Sequence, residues 1–427
     1  MRPQHRARAF LSRYGMAPPY AEIAPLTGRI LAEMQRGLNG QPSSIAMIPT
    51  YVRNAGSPPP GQKVIVIDSG GTNLRCSVAE VGSRSCVLTP VKTCRMPGTD
   101  VPLGWDEFIR FVAECILPVA DQADTVAVCF SYTMENTPQL DGRVISIDKE
   151  VRIVGAEGQY VGACLKKELE RHGVCGKRIV VVNDSAAALL GASFYLNKDA
   201  YDGFIGQICG TGTNTCCLLP CSKIRKLRSD DPSEIYINLE SGAFKGFTPG
   251  FFDRRLNDKS ALKEELIVEK LIGGGYIGML TELVLDGAAA EGEIRDATLK
   301  KLGSAGRIRT VDVDNWASGG GLEEINEEDA AYIAAIAHAL FERAAVYTGA
   351  VLTALMVLTG LGSNEKKPVC ICAEGSFIEK SRLFLPLLEE CLESFGRKEL
   401  GLHAQIIIGK GTTQTGSALA ALLNRPE

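Results

Sequence analysis

The sequence predicts an α/β protein built as two domains or as one bilobal body. Three observations carry that reading. At 427 residues the chain is too long for one ordinary core. Its short apolar strands lack polar alternation, which calls for a sheet covered on both faces. Helical patterns separate those strands along the chain. A hydrophobic content of 45% with 22% charged residues is ordinary for a soluble globular protein.

The elements follow in order. The start, "MRPQHRARAFLSRYGM", carries arginines but no apolar core, so no secretory signal is expected. Acidic residues are absent before Glu22, which keeps an organelle transit peptide as the alternative to a cytoplasmic start. "AEIAPLTGRILAEMQRGL" has the spacing of an amphipathic helix, and the Pro, Ser and Gly of residues 40 to 61 make the next connection irregular. "VIVIDSGG" reads as a strand, "GWDEFIRFVAECIL" as a helix and "TVAVCFS" as a strand. A helix near residues 158 to 172, a strand in "RIVVVND" and a helix in "SAAALLGASFYL" continue the alternation.

The most apolar stretch, "AVYTGAVLTALMVLTG" at residues 345 to 360, is short of a membrane span. It follows His338, Glu342 and Arg343 on one helical pattern, so a buried core helix and no membrane partner are expected. A net charge of −4 argues against nucleic acid. The 14 cysteines lie mostly in apolar runs, as at Cys209, Cys216-Cys217, Cys221, Cys370 and Cys372, without a CxxC pair. That pattern predicts reduced, buried thiols in the cytoplasm, and neither disulfides nor a metal site.

Two segments carry chemistry. "VIVIDSGGTNLRCSV", residues 64 to 78, and "FIGQICGTGTNTCCLL", residues 204 to 219, share one plan: apolar strand, glycine turn, Thr-Asn, second strand. A glycine turn bares backbone N–H groups to an anion, although it also serves as a plain hairpin. Two such turns about 140 residues apart suggest a duplicated domain that grips a polyphosphate from both sides. The GxGxxG match "GGGYIG", Gly273 to Gly278, follows a helix-like segment instead of a strand and so argues little for dinucleotide binding.

Between the turns, "RIVVVNDSAAALLGA" places Asn183 and Asp184 at a strand's carboxyl end, where open α/β sheets put ligands. Ser185 or Asp184 could instead cap the next helix. Beside two phosphate-gripping turns, the Asp184 carboxylate is suited to accept a proton from an attacking hydroxyl. The four histidines, His5, His172, His338 and His403, sit at no strand end. Glu240 in "YINLESGAF" and Glu269 in "IVEKLIGGG" read alone as surface acids or as ligands. With Ser131, Lys149, Asn183 and Asn214 they form the set of short hydrogen-bonding groups that a polyhydroxylated ligand needs.

The chain resembles the hexokinase family from about residue 24 to its end. "MIPTYVRNAGSPPPGQKVIVIDSGGTNLR" is similar to the segment leading into that family's first phosphate turn. "FSYT" and "IDKEV" follow as the two sugar loops, "VVVNDSAAAL" as the catalytic Asn-Asp and "GTGTN" as the second phosphate turn. "INLESGAF" and "VEKLIGGGYIG" match the two sugar-binding glutamates, and "AEGSF" the adenosine region.

The resemblance implies a bilobal actin-like (ribonuclease H-like) ATPase fold closing over a hexose and Mg-ATP. Residues 61–189 with 412–427 would form a small domain, and 1–60 with 190–411 a large one. It implies ATP-dependent phosphorylation of a hexose, with glucose expected, at the 6-hydroxyl, as in the first step of glycolysis, by a cytoplasmic monomer or homodimer using Mg²⁺. Asp184 would be the general base, and Ser131, Lys149, Asn183, Asn214, Glu240 and Glu269 would hold the sugar. Asp68, Gly70, Gly71, Thr72, Asn73 and Arg75 would form the first phosphate turn, and Gly210 and Thr211 the second. Gly375, Ser376 and Thr413 would lie at the ATP rim.

Departures fall on the sugar loop and that rim. Asp148 stands where the family has threonine beside Lys149, and either pairs with that lysine, the preferred reading, or points away. Tyr132-Thr133 replace Phe-Pro, Ser241 replaces a tryptophan, and "GKGTTQTGSALAALL" lacks the usual Asp-Gly-Ser, with Thr413 nearest its serine. Two alternatives stand beside the enzyme: a catalytically weak sugar-binding regulator, and another actin-like sugar kinase or repressor, whose group carries a cysteine-rich zinc motif missing here.

Overall fold

The computed structural model describes residues 2–54, 56, 58, 60–147, 151–260, 263–304 and 306–424. The chain opens with α1 (Pro3–Arg13) and α2 (Ile23–Leu38), whose apolar faces sink Phe10, Leu11, Ile30 and Met34 into a core. Strand β1 (Ile48–Arg53) precedes β2 (Gln62–Ser69), β3 (Asn73–Val81) and β4 (Cys86–Arg95). Short β5 (Leu103–Gly104) leads into α3 (Trp105–Ile116), and β6 (Thr125–Phe130) returns to the sheet. The hairpin of β7 (Thr133–Asn136) and β8 (Gly142–Ser146), then β9 (Ile153–Val154), come before α4 (Val161–Arg171) and β10 (Arg178–Val182).

The first sheet has the order β10-β6-β2-β3-β4. Strand β6 runs parallel to β2 and β10, so the ends of all three point to one edge. Every residue of β6 is buried, which is why "TVAVCF" needs no polar alternation. Helices α3 and α4 cover one face through Phe108, Val112 and Leu165.

After β10, α5 (Asp184–Tyr195) leads to β11 (Gly203–Cys209), β12 (Thr213–Pro220) and β13 (Glu234–Asn238). A helical layer follows: α6 (Phe251–Lys259), α7 (Ile267–Ile272), α8 (Ile277–Ala290), α9 (Asp296–Ser304) and α10 (Thr310–Ala317). Next comes α11 (Glu327–Thr359), capped by the Asn326 side chain and ended by Gly360 at φ +78°. By composition α11 is long and apolar enough to cross a membrane, yet 89% of its most apolar window is buried inside the fold. It forms the centre of the larger core, where buried Arg343 is neutralised by Asp253 of α6. The chain ends with β14 (Val369–Glu374), α12 (Ser376–Lys380), α13 (Phe384–Cys391), α14 (Lys398–Leu400), β15 (Ala404–Ile408) and α15 (Thr412–Leu423). The second sheet has the order β1-β13-β12-β11-β14-β15.

Two helices join the sheets. Helix α5 packs on the second sheet, α15 packs on the first, and the two cross. A methyl on Gly416 would run into the Ala187 carbonyl and one on Gly191 into the Thr412 carbonyl, so only glycines permit this approach. The boundary expected between residues 189 and 190 falls inside the continuous helix α5.

Candidate active site

The sheet ends meet at an open cleft. From the first sheet come Asp68, Gly70, Gly71 and Arg75 around the β2-β3 turn, Ser131 after β6, and Asn183 and Asp184 after β10. From the second come Gly210 and Thr211 of the β11-β12 turn, Asn214 of β12, Glu240 after β13 and Gly375 after β14. Glu269 of α7 and Thr413 of α15 complete the predicted residues that line the cleft.

Other expectations fall elsewhere. Thr72 is exposed, and neither it nor Asn73 lines the cleft. Their carbonyls serve the backbone, accepting from Met96 N–H at 2.9 Å and from Gly70 N–H at 3.1 Å, because a tight turn turns its closing residues away from its concave side. Ser376 lines a neighbouring open pocket that shares Gly210 and Thr211 with the cleft and is walled by Val311, Phe341 and Phe377. Lys149 and Asp148 lie outside the described residues.

The cap of α5 is Asn183, not Ser185 or Asp184: its Oδ1 accepts from Ser185 N–H at 2.9 Å and Ser185 Oγ at 2.6 Å. Asp184 is therefore the first helical residue, half-buried and facing the cleft. A second network centres on Asn238, which is fully buried. Its Oδ1 accepts from Asn214 Nδ2 at 2.8 Å and Ser185 Oγ at 3.3 Å, while its Nδ2 donates to Glu240 Oε1 at 2.7 Å. Asn214 Oδ1 in turn accepts from Glu240 N–H at 3.1 Å. Glu240 has φ +56°, a strained conformation for a side chain with a Cβ. Strain held by such a network marks a placed functional group.

Glu269 Oε2 accepts from Thr213 N–H at 3.0 Å, joining the second turn to α7. Asp68 pairs with Arg75 at 2.9 Å, yet burial pushes its carboxyl above the usual range, with Arg75 opposing and Asp184 adding to the rise. Glu374, at the end of β14, also lines the cleft. It accepts from Thr412 Oγ1 and from Thr413 N–H at 3.2 Å, and burial again raises its pKa. Sequence reasoning missed Glu374, Asn238 and Gly212. Glu374 stood inside "AEGSF" and Asn238 inside "INLESGAF", each as a polar residue closing an apolar strand.

Two family models, both described as hexokinase, match residues 13–194 and 204–423. Hexokinase-2 of Homo sapiens is 26% identical over 311 residues, 69% of this chain and 33% of that protein. Hexokinase-1 of Arabidopsis thaliana is 29% identical over 288 residues, 63% of this chain and 57% of that protein. Hexokinase of Schwanniomyces occidentalis is 27% identical over 334 residues, covering 70% and 68%. The matches span from a third to about two thirds of these relatives' own lengths. Among solved structures, a hexokinase from Schistosoma mansoni complexed with glucose superposes with a TM-score of 0.84 at 19% identity over 98% of each chain. A ROK family glucokinase from Streptomyces griseus, in complex with glucose and AMPPNP, reaches 0.53 at 17% identity, covering 84% of this chain and 99% of that one. These likenesses show the bilobal actin-like fold.

Proposed function

The chain belongs to the hexokinase family, and from that premise we propose that it transfers the terminal phosphoryl group of ATP to the 6-hydroxyl of a hexose, with glucose the expected sugar. One observation carries the reading: both glycine turns, the Asp184 carboxylate, buried Asn183 and Glu269, and half-buried Asn214 and Glu240 line a single cleft.

The division of labour follows from chemistry. Bare N–H groups of the two turns receive the phosphates. Asp184 lies between them and accepts the proton of the attacking hydroxyl. Asn183 has its oxygen committed to the α5 cap, so it offers the sugar its amide N–H groups. Glu240 and Glu269 accept from sugar hydroxyls, and a ligand missing one hydroxyl would leave a buried group unpaired. The apolar walls Val311, Phe341 and Phe377 beside the second turn support a purine base.

Among the described residues no three His, Cys, Asp or Glu side chains gather into a metal-holding group. That fits Mg²⁺, which binds through one or two carboxylates while substrate phosphates and waters complete its shell. Asp68, a buried carboxylate at the first turn, is the residue suited to hold it. The ion would neutralise charge on the phosphates. A cytoplasmic setting, with the first step of glycolysis as its role, is part of the proposal; fourteen free thiols, ten of them buried, support the former.

The test is ADP release from Mg-ATP with glucose, mannose, fructose and galactose in turn. Release above the sugar-free background with at least one sugar is expected. Hexose binding without ADP release would leave the weak regulator, and binding of no sugar would overturn the reading.

A further inference from the structure

Strand β6 pairs with β2 up to Ser69 and Phe130, and Ser131 N–H extends the ladder by donating to the Ser69 carbonyl at 3.1 Å. Tyr132 follows. Its ring is 1% exposed and packs edge-on against Phe130, with centroids 5.1 Å apart. Its hydroxyl donates to the Gly70 carbonyl at 3.1 Å.

That carbonyl belongs to the peptide between Gly70 and Gly71. A peptide flanked by two glycines has no Cβ on either side to resist rotation of its plane, so its orientation must be set by what it bonds. In a trans peptide the N–H points opposite to the C=O. Holding the Gly70 oxygen on Tyr132 therefore aims the Gly71 N–H the other way, and that N–H has no partner among the described residues. Both glycines line the cleft. A flipped plane would present a carbonyl to an incoming phosphate and repel it.

We propose that Tyr132 is a positioning residue for the nucleotide: its hydroxyl locks the Gly70-Gly71 peptide with the N–H toward the phosphates. The inference rests on the phosphotransfer reading above. Ser131 is placed by its own backbone bond to Ser69, so the hexose side of the cleft does not depend on the Tyr132 hydroxyl.

The experiment is Tyr132→Phe in the full chain, which keeps the buried ring and removes one donor. Calorimetry with Mg²⁺ and the β,γ-imido analogue of ATP, and separately with glucose, reads both ligands without turnover. Nucleotide affinity is expected to fall about three- to tenfold, the range of one neutral hydrogen bond. Glucose affinity should stay within about twofold and the melting temperature within about 2 °C. Unchanged nucleotide affinity, or equal weakening of both ligands, overturns the inference while leaving the phosphotransfer reading intact. A wild-type protein that binds neither ligand overturns both.

Discussion

The two glycine turns share a sequence plan but not a means of support. In the first, Gly70 N–H donates to Asn73 O, and the Gly70 carbonyl rests on a side chain, the Tyr132 hydroxyl. In the second, Gly210 N–H donates to Gly212 O, while Gly274 and Gly275 N–H donate to the Gly210 and Thr211 carbonyls, all at 2.9 Å. Glu269 then closes it from α7. The second turn is thus locked by backbone and joined to Glu269, the glutamate proposed to hold the sugar. The first also has backbone bonds, from Gly70 N–H to Asn73 O and from Met96 N–H to Thr72 O, but the plane of its Gly70-Gly71 peptide rests on one hydroxyl. Duplicated sequence signals need not carry duplicated mechanics, and each turn's neighbours decide how independently it acts.

Removing what both turns serve gives the largest effect. Asp184→Asn should lower the rate of phosphoryl transfer by about 10²- to 10⁴-fold, the range for a general base. Hexose affinity should remain within about tenfold, because a base acts mainly in the transition state. Steady-state turnover and sugar titration of the purified variant would check both. Turnover above a tenth of wild type would show that another group takes the proton.

A matched pair of alanine variants separates the turns next. A methyl on Gly212 would run into the Glu269 carboxylate, which is buried and hydrogen-bonded to Thr213. Glu269 must then leave its place, and Gly212→Ala should weaken hexose binding by about 10- to 100-fold, the cost of a displaced charged hydrogen bond. A methyl on Gly70 meets nothing nearer than the Asn73 carbonyl at 3.4 Å. Gly70→Ala should therefore leave hexose affinity within about twofold. Equal losses measured by calorimetry would mean that both turns are fused to the sugar site.

Much of this was legible in the sequence, and the rest failed for identifiable reasons. Strand ends and glycine turns are local signals, so Asp68, Gly71, Gly210 and Asp184 were expected together and do line one cleft. Thr72 and Asn73 were carried along with the motif, but a tight turn cannot present every residue to one side. The assignment of the α5 cap moved by one or two residues to Asn183 because Asn, Asp and Ser all serve at such positions. Tyr132 stood out only as a departure from Phe, since nothing local reveals that its hydroxyl reaches a carbonyl 62 residues away in the chain. Asn238 and Glu374 were hidden likewise, their partners lying on other strands and on α15. The glycine pair at the α5-α15 crossing is also a product of tertiary contact.

The smallest effect contrasts the carboxylates that flank the turns. Asp68 beside the first has Arg75 as counter-ion, whereas Glu374 beside the second has, among the described residues, the Thr412 hydroxyl and Thr413 N–H as its hydrogen-bond donors. Burial raises the Glu374 pKa above its ordinary 4.5, with Asp68 and Glu379 adding to the rise. A carboxyl whose folded pKa is raised contributes stability below its unfolded pKa, and that contribution is lost as pH climbs through the folded value. Above that value the wild type holds a buried charge that glutamine lacks, while the glutamine oxygen can still accept from Thr412. Glu374→Gln should therefore melt about 1–2 °C above wild type at pH 8 and lose that margin by about pH 4. Thermal melts at several pH values would check it. A margin that stayed constant with pH would mean that packing, not the charge, distinguishes the two side chains, and a wild type more stable at pH 8 would mean that its two hydrogen bonds outweigh the buried charge.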